Sequence, residues 1–126
     1  FQLTKLFPKE EMYALTDQIR RSSRSIGGQI AEAWAKRRYE KHFVSKLTDA
    51  DGEQQETQHW IGVAYDCAYW DKTTATDLRE KCQEIGRLLG GMLEKADQFC
   101  NNASLTLREV PVEYIVSPPP SSNDEN

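Results

Sequence analysis

Asp17–Arg38 reads DQIRRSSRSIGGQIAEAWAKRR. Within it Ile19, Ser22, Ile26, Ile30 and Ala33 recur in steps of three and four. That spacing keeps one face of an α-helix apolar or small. Met12 and Leu15 continue the stripe upstream. Pro8 suits a first helical turn, and Glu10 and Glu11 suit the positive end of the macrodipole. The pattern predicts a helix from about Pro8 to about Ala35, with AKRR leading into a tight polar connection. Gly27 and Gly28 lower its propensity and read as a bendable or close-packing point. Arg20, Arg21 and Arg24 point mostly away from the stripe.

The same spacing continues downstream. Tyr39, Phe43, Leu47, Ala50, Gln54, Thr57, Ile61, Ala64 and Ala68 mark one face of a helix from about Tyr39 to Tyr69. Gln54 and Thr57 make the middle of that seam polar, and Gly52 weakens the helix by about 1 kcal/mol relative to alanine. Thr74 followed by Asp77 resembles a capping signature. Beyond it Leu78, Cys82, Ile85, Leu89, Met92, Ala96 and Phe99 form a nearly heptad stripe. Gly86 and Gly90 share one side of that helix and would let another helix approach. Phe1 to Leu6 reads as the end of a further helix. The expected product is all-α, an antiparallel up-and-down bundle, because short connections make neighbouring helices antiparallel. Residues 1–101 form the bundle domain. Residues 102–126, with Pro111 and PPPSSNDEN, read as an extended, disordered Pro-rich tail.

Composition narrows the function classes. The 126 residues suit one core, and no apolar run approaches the roughly 20 residues of a membrane span. No secretory pattern is present, so cytoplasm is the expected location. Cys67, Cys82 and Cys100 are an odd count without CxxC, which argues against a disulfide framework or zinc site. Cys67 and Cys82 fall on apolar faces; Cys100 lies near a helix end and is expected to be more exposed. Net charge is −4 but uneven. Residues 1–50 hold ten Lys/Arg against six Asp/Glu, and residues 51–126 hold six against fourteen.

Few groupings suggest chemistry. Glu56 and His59 form one ExxH pair, whereas a di-iron bundle takes two such pairs. No phosphate-cradling glycine motif occurs, and neither histidine lies in a recognisable nucleophile arrangement. No metal, cofactor or catalytic residue is expected. The basic residues remain: Arg20, Arg21 and Arg24, then Lys36, Arg37, Arg38 and Lys41. They read either as a solvated face ion-paired to Glu32, Glu40 or a neighbouring subunit, or as contacts to nucleic-acid phosphates. Arg20 and Arg21 also suit a subunit interface.

FPKEEMYALTDQIRRSSRSIGGQIAEAW resembles the four helix bundle protein family, also called the 23S ribosomal RNA intervening-sequence protein family. Phe7, Pro8, Glu10 and Glu11 match its entry motif. Leu15, Gln18, Ile19, Arg20 and Arg21 match its middle, and Ser25, Ile26, Ile30, Ala31 and Glu32 its end. Phe43 and Glu56 fall at its aromatic and acidic positions. Gly27, Gln29 and Ala33 stand where the family has proline, asparagine and glycine. The resemblance implies an antiparallel four-helix bundle, a homopentamer, and a first helix largely missing before Phe1. It also implies kinship with the accessory variability protein of diversity-generating retroelements, which binds nucleic acid and a reverse transcriptase.

Two functions follow as expectations. The first is a non-enzymatic, oligomeric assembly or scaffold protein that engages a protein or ribonucleoprotein partner. The alternative is a nucleic-acid-binding accessory factor using Arg20, Arg21, Arg24, Lys36, Arg37, Arg38 and Lys41, with RNA, DNA or a reverse transcriptase as partner.

Overall fold

A computed structural model describes residues 1–101, and the expected tail at 102–126 lies outside them. The described residues are all-helical. Short 3-10 turns at Leu3–Leu6 and Lys9–Glu11 precede three long helices: α1 (Leu15–Ala35), α2 (Glu40–Asp66) and α3 (Lys72–Glu94). A further helical stretch covers 96–101, set off from α3 by a turn at Lys95. The 3-10 turn at Leu3–Leu6 stands where the sequence predicts a helix end.

The helices pack as a bundle with α2 in the middle. Its backbone lies close to both α1 and α3, whose backbones stay farther from each other while their side chains share the core. Partners climb along α1 as they descend along α2. Arg21 meets Glu56, Ser25 meets Glu53 at 2.8 Å, and Glu32 meets Lys46 at 3.3 Å.

Apolar side chains gather in two clusters. One holds Phe7, Leu15, Ile19, Ile61, Ala64, Trp70, Ala75 and Cys82. The other holds Ala33, Phe43, Leu47, Ala50, Leu89, Ala96 and Cys100. Ser22, Gln54 and Thr57 lie between them in chain position, and all three are buried. Their polar atoms are satisfied in place, as burial requires. The Ser22 and Thr57 hydroxyls are 2.9 Å apart. The Gln54 amide donates to Asp51 at 2.9 Å and accepts from Gln58 at 2.7 Å. The polar middle of the α2 seam is thus a designed layer of the core.

Several expectations shift. The first long helix begins at Leu15, not Pro8. Pro8 is extended at ψ 149° and Ala14 leaves helical geometry at ψ −105°. Glu11 sits just outside α1, where its carboxylate accepts from the Leu15 N–H at 3.3 Å and from the Tyr69 hydroxyl at 2.8 Å. Met12 is therefore exposed rather than on the buried stripe. The cap of α3 is Asp71, which accepts from the Thr74 N–H at 2.8 Å; Thr74 is itself inside the helix.

Tyr39 and Ala68, placed on the α2 seam by periodicity, are exposed because each lies just past a helix end. Ala68 takes the left-handed conformation at φ 61°. That turns the chain back so that the Tyr69 N–H donates to the Ala64 carbonyl at 2.9 Å. Phe7 then stacks against Tyr69 and Trp70, with ring centres 5.4 and 4.9 Å away. Cys67 is exposed at the same helix end, whereas Cys100 is buried by the fold of 96–101. Burial raises the thiol pKa of Cys82 and Cys100.

The glycines divide. Gly27 and Gly28 lie exposed within an unbroken α1, with open space where a Cβ would stand. They are not a close-packing point. A Cβ on Gly86 would stand 2.9 Å from Gln54 Nε2, so there the end of an α2 side chain would have to shift. Gly90 has no such neighbour.

Candidate interaction surface

The α1 periodicity that buries Ile19 and Ile26 turns the arginines between them outward, in different directions. Arg21 faces α2. Its guanidinium pairs with Glu56 and, at 3.4 Å, with Glu53. Glu56 also accepts from the Trp60 indole N–H at 3.0 Å. That hydrogen bond first, and Arg21 next, hold the Glu56 carboxyl below its ordinary pKa. Arg21 is thus an intramolecular clamp between α1 and α2. The expected ion-pair reading applies to it, with Glu53 and Glu56 as partners instead of Glu32 or Glu40. Glu56 is half-exposed and engaged, and neighbouring His59 packs against the Trp60 ring.

Arg20 and Arg24 turn toward the first residues of the chain. Arg20 Nε donates to the Thr4 hydroxyl at 2.8 Å. The guanidinium carbons of Arg20 and Arg24 lie 4.3 and 5.4 Å from the Phe1 ring centre. Lys5 joins them at 5.1 Å. These are cation–π contacts, which leave the cations' outer faces to solvent. Sequence reasoning missed Lys5, because only the 3-10 turn brings it beside Arg20.

The second basic group lies at the α1–α2 connection. Arg37 packs over the Trp34 ring at 4.1 Å and donates to the Trp34 carbonyl at 3.0 Å. Arg38 lies 5.7 Å from the Tyr39 ring centre. Lys36, Arg38 and Lys41 are exposed, and no carboxylate pairs with them among the described residues. Lys36, the cap of α1, stands twelve positions beyond Arg24, about 18 Å along the axis. The seven basic residues therefore form three separate settings rather than one patch.

The first thirteen residues also carry exposed apolar side chains. Phe1, Leu3, Leu6, Met12 and Tyr13 are all exposed, Leu6 at 73% and Tyr13 at 92%. These residues escape periodicity arguments, because the chain there forms 3-10 turns instead of a helix with one buried face. Among the described residues no three His, Cys, Asp or Glu side chains gather as a metal site. No described helix is long and apolar enough to cross a membrane.

A family model described as 23S rRNA-intervening sequence protein matches residues 1–91, nearly all of the described bundle. No curated protein and no solved structure matches the chain. The match spans the Phe7–Glu11 entry, the Arg20–Arg21 pair and all of α2, so the chain belongs to the 23S rRNA-intervening sequence protein family.

Proposed function

We propose that this chain is a non-enzymatic helical assembly protein that associates through the apolar surface of its first thirteen residues and engages a protein or ribonucleoprotein partner. The observation that carries the proposal is the exposure of Phe1, Leu3, Leu6, Met12 and Tyr13 in one short stretch. Exposed apolar groups gathered in a patch mark association surfaces, and these five lie within thirteen residues of sequence. Arg20, Arg24 and Lys5 sit over the Phe1 ring, and interface cores are enriched in arginine and aromatic residues. The family resemblance points to a homopentamer. Light scattering across a concentration series tests this. The chain should be oligomeric, and L6E with Y13E should shift it to monomer while circular dichroism stays helical. A monomer at every concentration counts against the proposal.

A second reading is favoured by one observation: Lys36, Arg38 and Lys41 are exposed without carboxylate partners. In this reading the chain is an accessory factor of the retroelement type, contacting RNA or DNA phosphates alongside a reverse transcriptase. Repeating the patch around an oligomer would add avidity. A nucleic-acid titration at two salt concentrations tests it, with affinity falling steeply as salt rises. K36E with K41E should abolish the binding; binding that ignores salt or these changes speaks against it.

A further inference from the structure

The α1–α2 connection concentrates positive charge in a chain that is acidic overall. Residues 36–42 hold four of the 16 Lys/Arg but one of the 20 Asp/Glu. They reverse the chain in one short turn, in which the Tyr39 N–H donates to the Lys36 carbonyl at 3.0 Å. The four cations are thereby held at one end of the bundle. Like charges kept this close repel one another, and a polyanion laid across the turn relieves that repulsion.

Aromatic rings are interleaved with these charges. Tyr39 is 58% exposed, and His42 is exposed beside it. Their ring centres are 5.7 Å apart, with the planes inclined at 54°. The Arg38 guanidinium carbon lies 5.7 Å from the Tyr39 ring centre. Arg37 is committed to Trp34, whose ring it covers at 4.1 Å and whose carbonyl it reaches at 3.0 Å. The turn therefore presents Lys36, Arg38 and Lys41 around two open rings. In a duplex the base faces are stacked on each other, and the phosphates face outward. An unpaired strand offers phosphates and free base faces together, and aromatic rings set among cations take both.

We infer that the α1–α2 turn binds single-stranded nucleic acid in preference to duplex, a choice that rests on the nucleic-acid reading above. Phosphates sit at Lys36, Arg38 and Lys41, and a base stacks on Tyr39 beside His42. The turn follows the far end of α1 from the first thirteen residues, so the association surface contributes none of these groups.

Fluorescence anisotropy of the full chain tests this with RNA and DNA oligonucleotides of about 12 nucleotides, each single-stranded and as duplex. At matched salt the single strands should bind at least about fivefold tighter, the gain from one stacked base. Their log affinity should fall against log salt with a slope of about −2, as three phosphates predict. The tighter of the RNA and DNA strands names the natural source. Y39A should weaken single strands at least about fivefold and leave both the salt slope and duplex binding unchanged. Tyr39 serves α2 through its backbone carbonyl, which accepts from the Phe43 N–H at 3.0 Å and survives that change, as circular dichroism should confirm. Y39F keeps the ring and should bind like the unmodified chain, whereas K41Q should flatten the salt slope by about 0.7. Duplex bound as tightly as single strands, Y39A without effect, or Y39F as weak as Y39A would each overturn the inference while leaving the nucleic-acid reading in place. No binding of any of the oligonucleotides overturns both.

Discussion

The contact between Ser22 and Thr57 offers a sharp test of the polar layer. Ser22 is fully buried and Thr57 is 5% exposed. The Thr57 hydroxyl lies 2.8 Å from the Glu53 carbonyl, which can only accept, so its single proton goes there. The Ser22 hydroxyl must then donate to Thr57 across 2.9 Å, since its other acceptor, the Ile19 carbonyl, is 3.4 Å away. The two single changes are therefore unequal. Ser22→Ala leaves Thr57 satisfied and costs about 0.5–1.5 kcal/mol. Thr57→Val leaves a buried hydroxyl on α1 with only the long contact and costs about 1–3 kcal/mol. Changing both removes the orphan, so the double variant should be less destabilised than the sum of the singles by about 1 kcal/mol. Each kcal/mol moves Tm by about 3–6 °C in a chain of this size. Urea unfolding followed by circular dichroism, at one fixed protein concentration, measures all four proteins. If the effects add to within about 0.3–0.5 kcal/mol, the two hydroxyls are not coupled and the assignment of donor and acceptor is wrong.

Four further outcomes are expected. Glu56, depressed first by the Trp60 N–H and then by Arg21, contributes stability that is present above its unfolded pKa near 4.5 and lost as pH falls through the lower folded value. Glu56→Gln should therefore flatten the acid side of a pH–stability profile. At neutral pH it should cost less than about 1 kcal/mol, because both charged partners are partly exposed; an unchanged acid limb contradicts this. Gly27→Ala and Gly28→Ala should each stabilise by about 0.5–1 kcal/mol in thermal unfolding, since each gains helix propensity in open space. Gly86→Ala should destabilise, because the Gln54 amide that must move is held by Asp51 and Gln58. Ala68→Gly should raise stability by about 1 kcal/mol, as the left-handed position that ends α2 carries a Cβ penalty only for alanine; a lower Tm would contradict that account.

The existence of α1 and α2, the end of α1 at Ala35 and most of their buried faces were legible in the sequence, and so was the polar break at Gln54 and Thr57. Each follows from repetition in steps of three and four, which a helix turns into a face whatever surrounds it. The helix ends were less legible. Asp71 and Thr74 are both plausible caps by residue type, and only the chain direction entering α3 made Asp71 the acceptor. Cys67 and Cys100 exchanged their expected exposures for a similar reason: α2 ends at Cys67, while the turn at Lys95 folds 96–101 back onto the core.

By itself the sequence determined that this chain is helical, which stripes are buried and which family motif it carries, since those are properties of local spacing and residue identity. Tertiary structure alone decided what the basic residues do. Arg20, Arg21 and Arg24 lie within five positions on one helix. One clamps Glu53 and Glu56, and the other two gather with Lys5 around Phe1. A hundred-degree rotation per residue sends neighbouring side chains toward different partners, and which partner waits on each side depends on how α1, α2 and the first residues pack together.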